Sequence, residues 1–352
     1  MAFGVYVHVP FCARKCDYCA FATWTDRHQL TSSYLAACRT EAERAVDAGL
    51  PPVTSVFVGG GTPSLVPPEE LLAVIEPLPV EPGAEVTNEC NPDTVTRELL
   101  EAYAAGGVTR LSFGVQSMVP DVLAGLGRTH DPAAVRRSVD LARSVGFESF
   151  NLDVIYGGSG ETLDDWRHTL TEVLALDPPH VSAYALTVEP GTALAGDPGR
   201  HPDDDRQAEM YALATDLLGG AGLEWYEIST WARPGHQCRH NLLYWRQGEY
   251  LGLGCAAHSH RDGRRWWNVR TPERFIEAIE AGRSAEAAGE RLEPAARRLE
   301  ALQLALRTSE GVPAAALPAD DALDGLVDVR DDRAHLTLRG RLLANEVALR
   351  LR

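Results

Sequence analysis

Near its N-terminus the chain reads Cys12-Ala13-Arg14-Lys15-Cys16-Asp17-Tyr18-Cys19, directly after an apolar run at residues 6–11. The spacing C-x3-C-x2-C brings three soft thiolate ligands close together, which suits zinc or an iron–sulfur cluster. A structural zinc site needs four protein ligands, whereas three cysteines leave one iron of a four-iron cluster free to bind a small molecule. A zinc knuckle and buried cysteines without a ligand are the alternatives, and the triplet favours the cluster.

The composition of the chain limits the classes of function. Its 352 residues are 45% hydrophobic and 24% charged, as in ordinary globular proteins. The formal net charge is -17, and we expect no nucleic-acid partner because phosphate binding needs a basic face. Seven cysteines, an odd number, without a signal peptide predict a cytoplasmic protein rather than a secreted disulfide framework. No apolar run reaches the length of a membrane span, so any membrane contact is expected to be peripheral.

Short β-branched or aromatic runs alternate with longer helical patterns over the first two thirds of the chain. This alternation predicts parallel strands joined by right-handed crossovers, in an open doubly wound sheet or a full or partial barrel. Both architectures place ligands at the C-terminal ends of the strands. The predicted strands cover residues 3–9, 53–58, 84–89, 109–115, 149–156, 180–186 and 223–228.

After about residue 230 the alternation ends, which predicts one domain over residues 1–230 and a second over residues 231–352. The segment 231–267 is rich in aromatic residues, histidine, glycine and arginine and has no clear helical period. Predicted helices at 272–281 and 294–306, two short strands near 326–329 and 334–338, and a last helix at 340–351 resemble a winged-helix module. The acidic balance of the chain argues that such a module does not bind DNA here.

Polar or glycine-rich motifs follow several of the predicted strands. The run Gly59-Gly60-Gly61-Thr62-Pro63 lets the backbone approach a ligand closely. Glu89 and Gln116 carry groups that suit ribose hydroxyls, and Arg128 can bind a carboxylate. Asp153 lies inside an apolar strand, where we expect it to face a polar ligand or a cation. The plain alternatives are a strand-to-helix turn, solvated side chains and an internal salt bridge.

Taken together and in order, these motifs resemble the radical S-adenosylmethionine (SAM) proteins of the coproporphyrinogen-dehydrogenase-like group. The motifs are the cysteine triplet, GGGTP, Glu89, GVQS, the GR-x-H step and NLDVIYG, and the resemblance covers nearly the whole chain. It implies an α/β fold, a partial (β/α)6 TIM-like barrel with a mainly helical, winged-helix-like C-terminal domain. It also implies two cofactors, a [4Fe-4S] cluster and SAM.

The resemblance assigns roles to individual residues. Cys12, Cys16 and Cys19 would bind the [4Fe-4S] cluster, and the remaining iron would bind the amino and carboxylate groups of SAM. The residues implied to surround SAM are Tyr6, Gly60, Gly61, Thr62, Glu89, Gln116, Arg128 and Asp153.

Phe21 bears on the choice between two branches of this group. The dehydrogenase branch has a fourth cysteine, C-x3-C-x2-C-x-C, at the position where this chain has Phe21. Residues 240–245 read HNLLYW, which matches the H-N-x-x-Y-W pattern of the haem-chaperone branch. We therefore expect a protein that binds haem and delivers it to haemoproteins such as respiratory cytochromes. The alternative is an enzyme that decarboxylates coproporphyrinogen propionates to vinyl groups, which the lack of a thiol at Phe21 disfavours.

His240 is the candidate haem ligand, because imidazole suits iron. The alternative is that its segment packs across the barrel mouth and its ring satisfies a backbone carbonyl. The resemblance further implies an electron donor such as a flavodoxin or ferredoxin if SAM is cleaved, and suggests a homodimer. We expect the protein in the cytoplasm, with peripheral contact at the inner face of the membrane.

Overall fold

A computed structural model describes residues 2–352 of the chain. Six strands run parallel in chain order, and helices cover them between successive strands. The strands are β1 (Phe3–Val9), β2 (Val53–Gly60), β3 (Val80–Cys90), β4 (Arg110–Gln116), β5 (Ser149–Tyr156) and β6 (His180–Ala185). The helices are α1 (Thr31–Asp47), α2 (Pro68–Ile75), α3 (Arg97–Ala105), α4 (Pro120–Gly125), α5 (Pro132–Val145) and α6 (Leu163–Ala175). The sheet is open, so the partial barrel among the expected architectures is confirmed.

Alternate residues of the parallel strands carry polar side chains that bind one another across neighbouring strands, as a strand period of two residues predicts. The amide nitrogen of Asn151 on β5 donates to Ser112 Oγ on β4 at 2.8 Å. The amide oxygen of Asn151 lies 2.7 Å from Nδ1 of His180 on β6. The intervening residues, such as Val5, Val7 and Val9 on β1, are fully buried in the apolar core.

The parallel series ends at β6, whereas the sequence pattern suggested a seventh member at residues 223–228. After α7 (Asp204–Gly220) the chain forms β7 (Glu224–Glu227) and β8 (Thr230–Ala232), which pair antiparallel with each other, and β8 pairs antiparallel with β6. The two residues between β7 and β8 make a tight hairpin and are too few for the crossover that a parallel strand needs.

The chain then returns to the opposite edge of the sheet. A short helix, α8 (Arg239–Trp245), leads into β9 (Glu249–Leu253), which pairs parallel with β1. The strands β10 (His258–Arg261), β11 (Arg264–Asn268) and β12 (Glu286–Arg291) extend the sheet to twelve strands, and α9 (Pro272–Glu280) packs on α1. The predicted domain boundary at residues 230 and 231 thus falls within one continuous sheet.

A second apolar cluster forms at the C-terminus, around Leu306, Val312, Leu336 and Val347. Its elements are α10 (Pro294–Ala305), β13 (Val312–Pro313), β14 (Val327–Arg330), β15 (Arg333–Leu336), α11 (Leu338–Leu342) and α12 (Ala344–Ala348). The last helix is interrupted at Leu343, whose φ of -111° and ψ of 28° are not helical, where the pattern predicted a single helix. Within residues 2–352 no helix combines the length and apolar character needed to cross a membrane.

Candidate functional site

The motif residues meet in one cavity of about 700 Å³ at the C-terminal ends of the parallel strands, which we call the cluster cavity. Its walls include all three cysteines of the triplet. They also include seven of the eight predicted SAM residues, namely Gly60, Gly61, Thr62, Glu89, Gln116, Arg128 and Asp153. Residues as distant in sequence as Cys12 and Asp153 therefore share one site, as expected when parallel strands all end at the same edge.

The cysteine loop follows β1, and all three thiols are free and half-buried. Burial raises the pKa of the Cys12 and Cys19 thiols above the usual range. Cys90 on β3 also lines the cavity, but it is buried and bonds with Asn88. Among residues 2–352 no three His, Cys, Asp or Glu side chains gather closely enough to hold a single metal ion. Three free thiols along one cavity wall fit the donor set of a cluster that keeps one iron open.

The glycine run holds the end of β2 against the chain that enters the cysteine loop. The Gly61 amide donates to the Val9 carbonyl at 2.7 Å, and the Thr62 amide donates to the Phe11 carbonyl at 2.8 Å. A Cβ atom at Gly61 would lie 2.7 Å from both carbonyl oxygens, so only glycine permits this approach. The Thr62 hydroxyl also lies 3.7 Å from Cys12 Sγ, which joins the glycine motif directly to the triplet.

Two half-buried carboxylates, Glu89 and Asp153, face the cluster cavity. Glu89 Oε2 accepts a hydrogen bond from the Gly60 amide at 3.0 Å. Asp153 accepts from Ser112 Oγ at 2.7 Å and from the Asn151 side chain at 2.8 Å. Burial raises the pKa of both carboxyl groups. The negative charge of Asp153 raises the pKa of Glu89 further, to about 7. Neither acid forms an ion pair within the described part of the chain, so both are open to a polar or cationic ligand group.

The raised pKa of Glu89 predicts a pH dependence of stability. Since its unfolded pKa is about 4.3, the folded protein binds the proton more tightly, and stability falls as the pH rises to about 7 and then levels off. Glu89→Gln keeps an acceptor for the Gly60 amide and removes this titration. We expect the free energy of unfolding of the apoprotein, measured with urea, to be higher for the variant than for the wild type, and the difference to be larger at about pH 8 than at about pH 5. Glu81→Gln, on the exposed part of β3, is the control, and parallel pH profiles for wild type and Glu89→Gln would contradict the assignment.

Gln116 and Arg128 also line the cluster cavity. Gln116 has a φ of 63°, which is uncommon for a residue other than glycine, and the β4 register shifts just before it. Arg128 donates to the Gly114 carbonyl at 2.8 Å, and its other terminal nitrogen lies 3.7 Å from Cys16 Sγ. The arginine is thus held beside the triplet, where its guanidinium can meet a ligand carboxylate.

Tyr6 is the one predicted SAM residue that does not line the cluster cavity, although its hydroxyl lies close to Gly60. Its side chain lines a neighbouring second cavity of about 830 Å³, and its hydroxyl is 3.0 Å from His8 Nδ1. The second cavity and the cluster cavity share Ala20 and Phe21 as wall residues. The role of Tyr6 toward SAM stays a prediction.

His240 lies inside the barrel at the N-terminal level of the strands and is fully buried. Its Nδ1 atom is 2.9 Å from Ser55 Oγ, and its Nε2 atom is 2.8 Å from the Tyr244 hydroxyl. Its ring also stacks on Phe57, and burial lowers its pKa to about 3. Iron coordination by His240 stays a prediction, and it requires one of these two hydrogen bonds to break.

Tyr184 and Glu189 are among the residues of the cluster cavity that sequence reasoning missed. Tyr184 lies near the end of β6, and Glu189 follows that strand. The signal was available, because every other parallel strand contributes to the cavity from the same end. Arg239 and Arg246, the arginines on either side of residues 240–245, contact the Gly83 carbonyl and the Glu310 carboxylate respectively.

Comparisons with known proteins agree with this geometry. The model of the Radical SAM superfamily matches residues 6–173. "Heme chaperone HemW" of Mycobacterium tuberculosis is 42% identical, over 98% of this chain and 93% of its own. "Heme chaperone HemW" of Escherichia coli is 36% identical, over 86% and 84%. The solved structure of coproporphyrinogen III oxidase (HemN) from Escherichia coli matches with a TM-score of 0.86 over 99% of this chain and 89% of its own, at 23% identity, which shows a common fold.

Proposed function

This chain belongs to the radical SAM superfamily and, within it, to the HemW group, and on that premise we propose that it is a haem chaperone. It binds haem and passes it to haemoproteins such as respiratory cytochromes. The proposal draws on relatives that carry this name over nearly the whole length of the chain. A [4Fe-4S] cluster and SAM occupy the cluster cavity in the working protein.

The cluster cavity offers a partner for each part of these two cofactors. Cys12, Cys16 and Cys19 hold the cluster, and Arg128 binds the SAM carboxylate. Thr62 and the glycines before it border the amino group of SAM, Glu89 and Gln116 face its ribose, and Asp153 faces its nucleoside end. When bound, the cluster supplies a redox-active iron that also holds SAM. The residues of the chain orient SAM and keep it against the cysteine loop.

The side chain of Phe21 is the observation that carries the choice of chaperone over dehydrogenase. It stands where the dehydrogenase branch has a fourth cysteine, it is 62% exposed, and it lines both cavities. A phenyl ring cannot transfer a proton, bind a metal or form a thiyl group, so the chemistry of a thiol is lost at this point. The ring instead adds an apolar surface to the wall that the two cavities share.

The remaining partners follow from the same function. The recipients are haemoproteins, and they include membrane-bound cytochromes if the chaperone works at the inner face of the membrane. A flavodoxin or ferredoxin is the electron donor if SAM is cleaved, and two copies of the chain form a homodimer. Nucleic acid is not a partner of this acidic protein.

The decisive experiment measures haem binding and enzymatic turnover on the same preparation. The cluster is reconstituted anaerobically, and the protein is titrated with haem and then incubated with coproporphyrinogen, SAM and a reductant. We expect stoichiometric haem binding and no vinyl product, because the thiol at position 21 is absent. Cluster-free Cys16→Ala protein gives the background of the turnover assay. Vinyl product above that background would show that the protein is a dehydrogenase and would contradict the chaperone function.

A further inference from the structure

The second cavity has the form of a site for a large flat ligand. At about 830 Å³ it falls within the range of cavities that enclose cofactors. Its walls come from the β10–β11 hairpin, the loop after Cys19, and α10. Three aromatic side chains, Tyr244, Tyr250 and Trp267, supply flat apolar surface. Phe21 lies at the border with the cluster cavity, so a ligand here is the neighbour of the cluster.

Three other histidines lie around this cavity, and each of their ring nitrogens is either hydrogen-bonded or fully buried. Both ring nitrogens of His8 have partners, the Tyr6 hydroxyl and the Ala22 carbonyl. Both nitrogens of His240, behind Tyr244, are also hydrogen-bonded. His260 donates from Nδ1 to the Gly248 carbonyl at 2.8 Å, and its Nε2 atom is buried without a partner in the described chain. None of these three presents an accessible nitrogen to the cavity.

His258 differs from these three histidines in its exposure and in its hydrogen bonding. It lines the cavity two residues before His260 on β10, and its side chain is exposed. Neither ring nitrogen has a hydrogen bond to any part of the chain that the structure describes. The ring stacks on Trp267, with ring centroids 5.5 Å apart and planes inclined by 28°, which limits its rotation. Partial burial lowers the pKa of His258, so the ring is in the neutral form that binds a metal.

A free positive charge accompanies this histidine. Arg265 on β11 lines the cavity but is paired with Glu300 and Glu290. Arg270, just after β11, also lines the cavity, and within residues 2–352 its guanidinium has no ion pair or hydrogen bond. In a chain of net charge -17, an unpaired arginine beside an aromatic cavity is suited to a ligand carboxylate.

We propose that haem binds in the second cavity with His258 as its axial iron ligand and a propionate on Arg270. This inference rests on the proposed function and specifies the site at which the cargo is held. The porphyrin plane lies against the aromatic wall, and its edge faces Phe21. His240 acts through Tyr244, whose hydroxyl it holds at 2.8 Å, and so positions one wall of the site.

The test is a titration of the anaerobically reconstituted protein with ferric haem, followed by absorption and electron paramagnetic resonance (EPR) spectroscopy. His258→Ala is expected to lose the histidine-ligated haem signature and at least about tenfold in affinity, equivalent to about 1.4 kcal/mol, and added imidazole should restore the signature. His258→Met should give a different axial-ligand spectrum, since a thioether replaces the imidazole. His168→Ala, on the exposed face of α6, is the matched control.

Metal-free protoporphyrin separates the iron ligand from the cavity itself. We expect it to bind wild type and His258→Ala equally, measured by quenching of tryptophan fluorescence, and to bind Arg270→Glu more weakly. Arg261→Glu, exposed on β10 outside the cavity, should bind as the wild type does. A wild-type haem signature in His258→Ala would overturn this inference and leave the proposed function standing. Failure of the wild-type protein to bind haem at all would overturn both.

Discussion

Cys16→Ala is expected to remove the [4Fe-4S] cluster and, with it, the binding of SAM. Cys16 is one of the three thiols on the cysteine loop that lines the cluster cavity. Two thiolates are too few to retain a four-iron cluster. Iron and acid-labile sulfide after anaerobic reconstitution should fall at least about tenfold. SAM binding, measured by equilibrium dialysis, should fall to the background of the assay, because the proposed function attaches SAM to the open iron of the cluster.

Cys38→Ala is the matched control for this change. Cys38 is a free cysteine too, but it is fully buried on α1 within the apolar core. Its replacement by alanine removes a small apolar contact and leaves the cysteine loop intact. Full cluster content in Cys16→Ala would mean that another side chain, such as Cys90, takes its place, and the ligand assignment would then be wrong.

Glu85→Ala is expected to lower the free energy of unfolding by about 3 kcal/mol. Glu85 on β3 is only 6% exposed, and its carboxylate accepts from the Arg239 amide at 3.0 Å, the His240 amide at 3.1 Å and the Cys238 thiol at 3.4 Å. These donors form the start of α8, whose first amides have no partner within the helix. Alanine leaves them buried and unpaired, which costs more than the loss of an exposed contact.

Urea denaturation of the apoprotein measures this cost, with Glu81→Ala as the control. Glu81 is on the same strand but exposed, so its replacement should change the unfolding free energy by less than about 0.5 kcal/mol. Glu85→Ala should also weaken haem binding, because α8 carries Tyr244 into the wall of the second cavity. Equal stability of the two variants would show that the start of α8 is not fixed by this carboxylate.

The cluster cavity was largely predictable from the sequence, and the reason is geometric. Each motif is a short local pattern at the end of a strand, and parallel strands bring such ends together without further information. The strand predicted over residues 149–156 has the observed bounds of β5. Tyr6 is an exception, because it lies in the middle of β1 and not at its C-terminal end. Its side chain lines the second cavity instead.

The second cavity and the position of α8 were not predictable in the same way. They depend on contacts between distant parts of the chain, such as that between Glu85 and the His240 amide, which no local pattern records. The helix α8 has only seven residues, too few for a periodic signal. The strand β9 pairs with β1, from which it is separated by more than 200 residues of the chain, so no local pattern indicates this pairing. The seventh strand was misread as parallel because a strand pattern does not reveal its direction.

The position of β1 between β2 and β9 has a consequence for dissecting the protein. Five residue pairs join β1 to β9, and the Tyr34 hydroxyl on α1 accepts from the Cys255 amide just beyond β9. A fragment that stops at residue 230 would lack β9, and β1 would become an apolar strand at an unpaired edge of the sheet. Such an edge promotes aggregation. We therefore expect residues 1–230 not to fold on their own, which makes truncation a poor way to separate the cluster cavity from the cargo site.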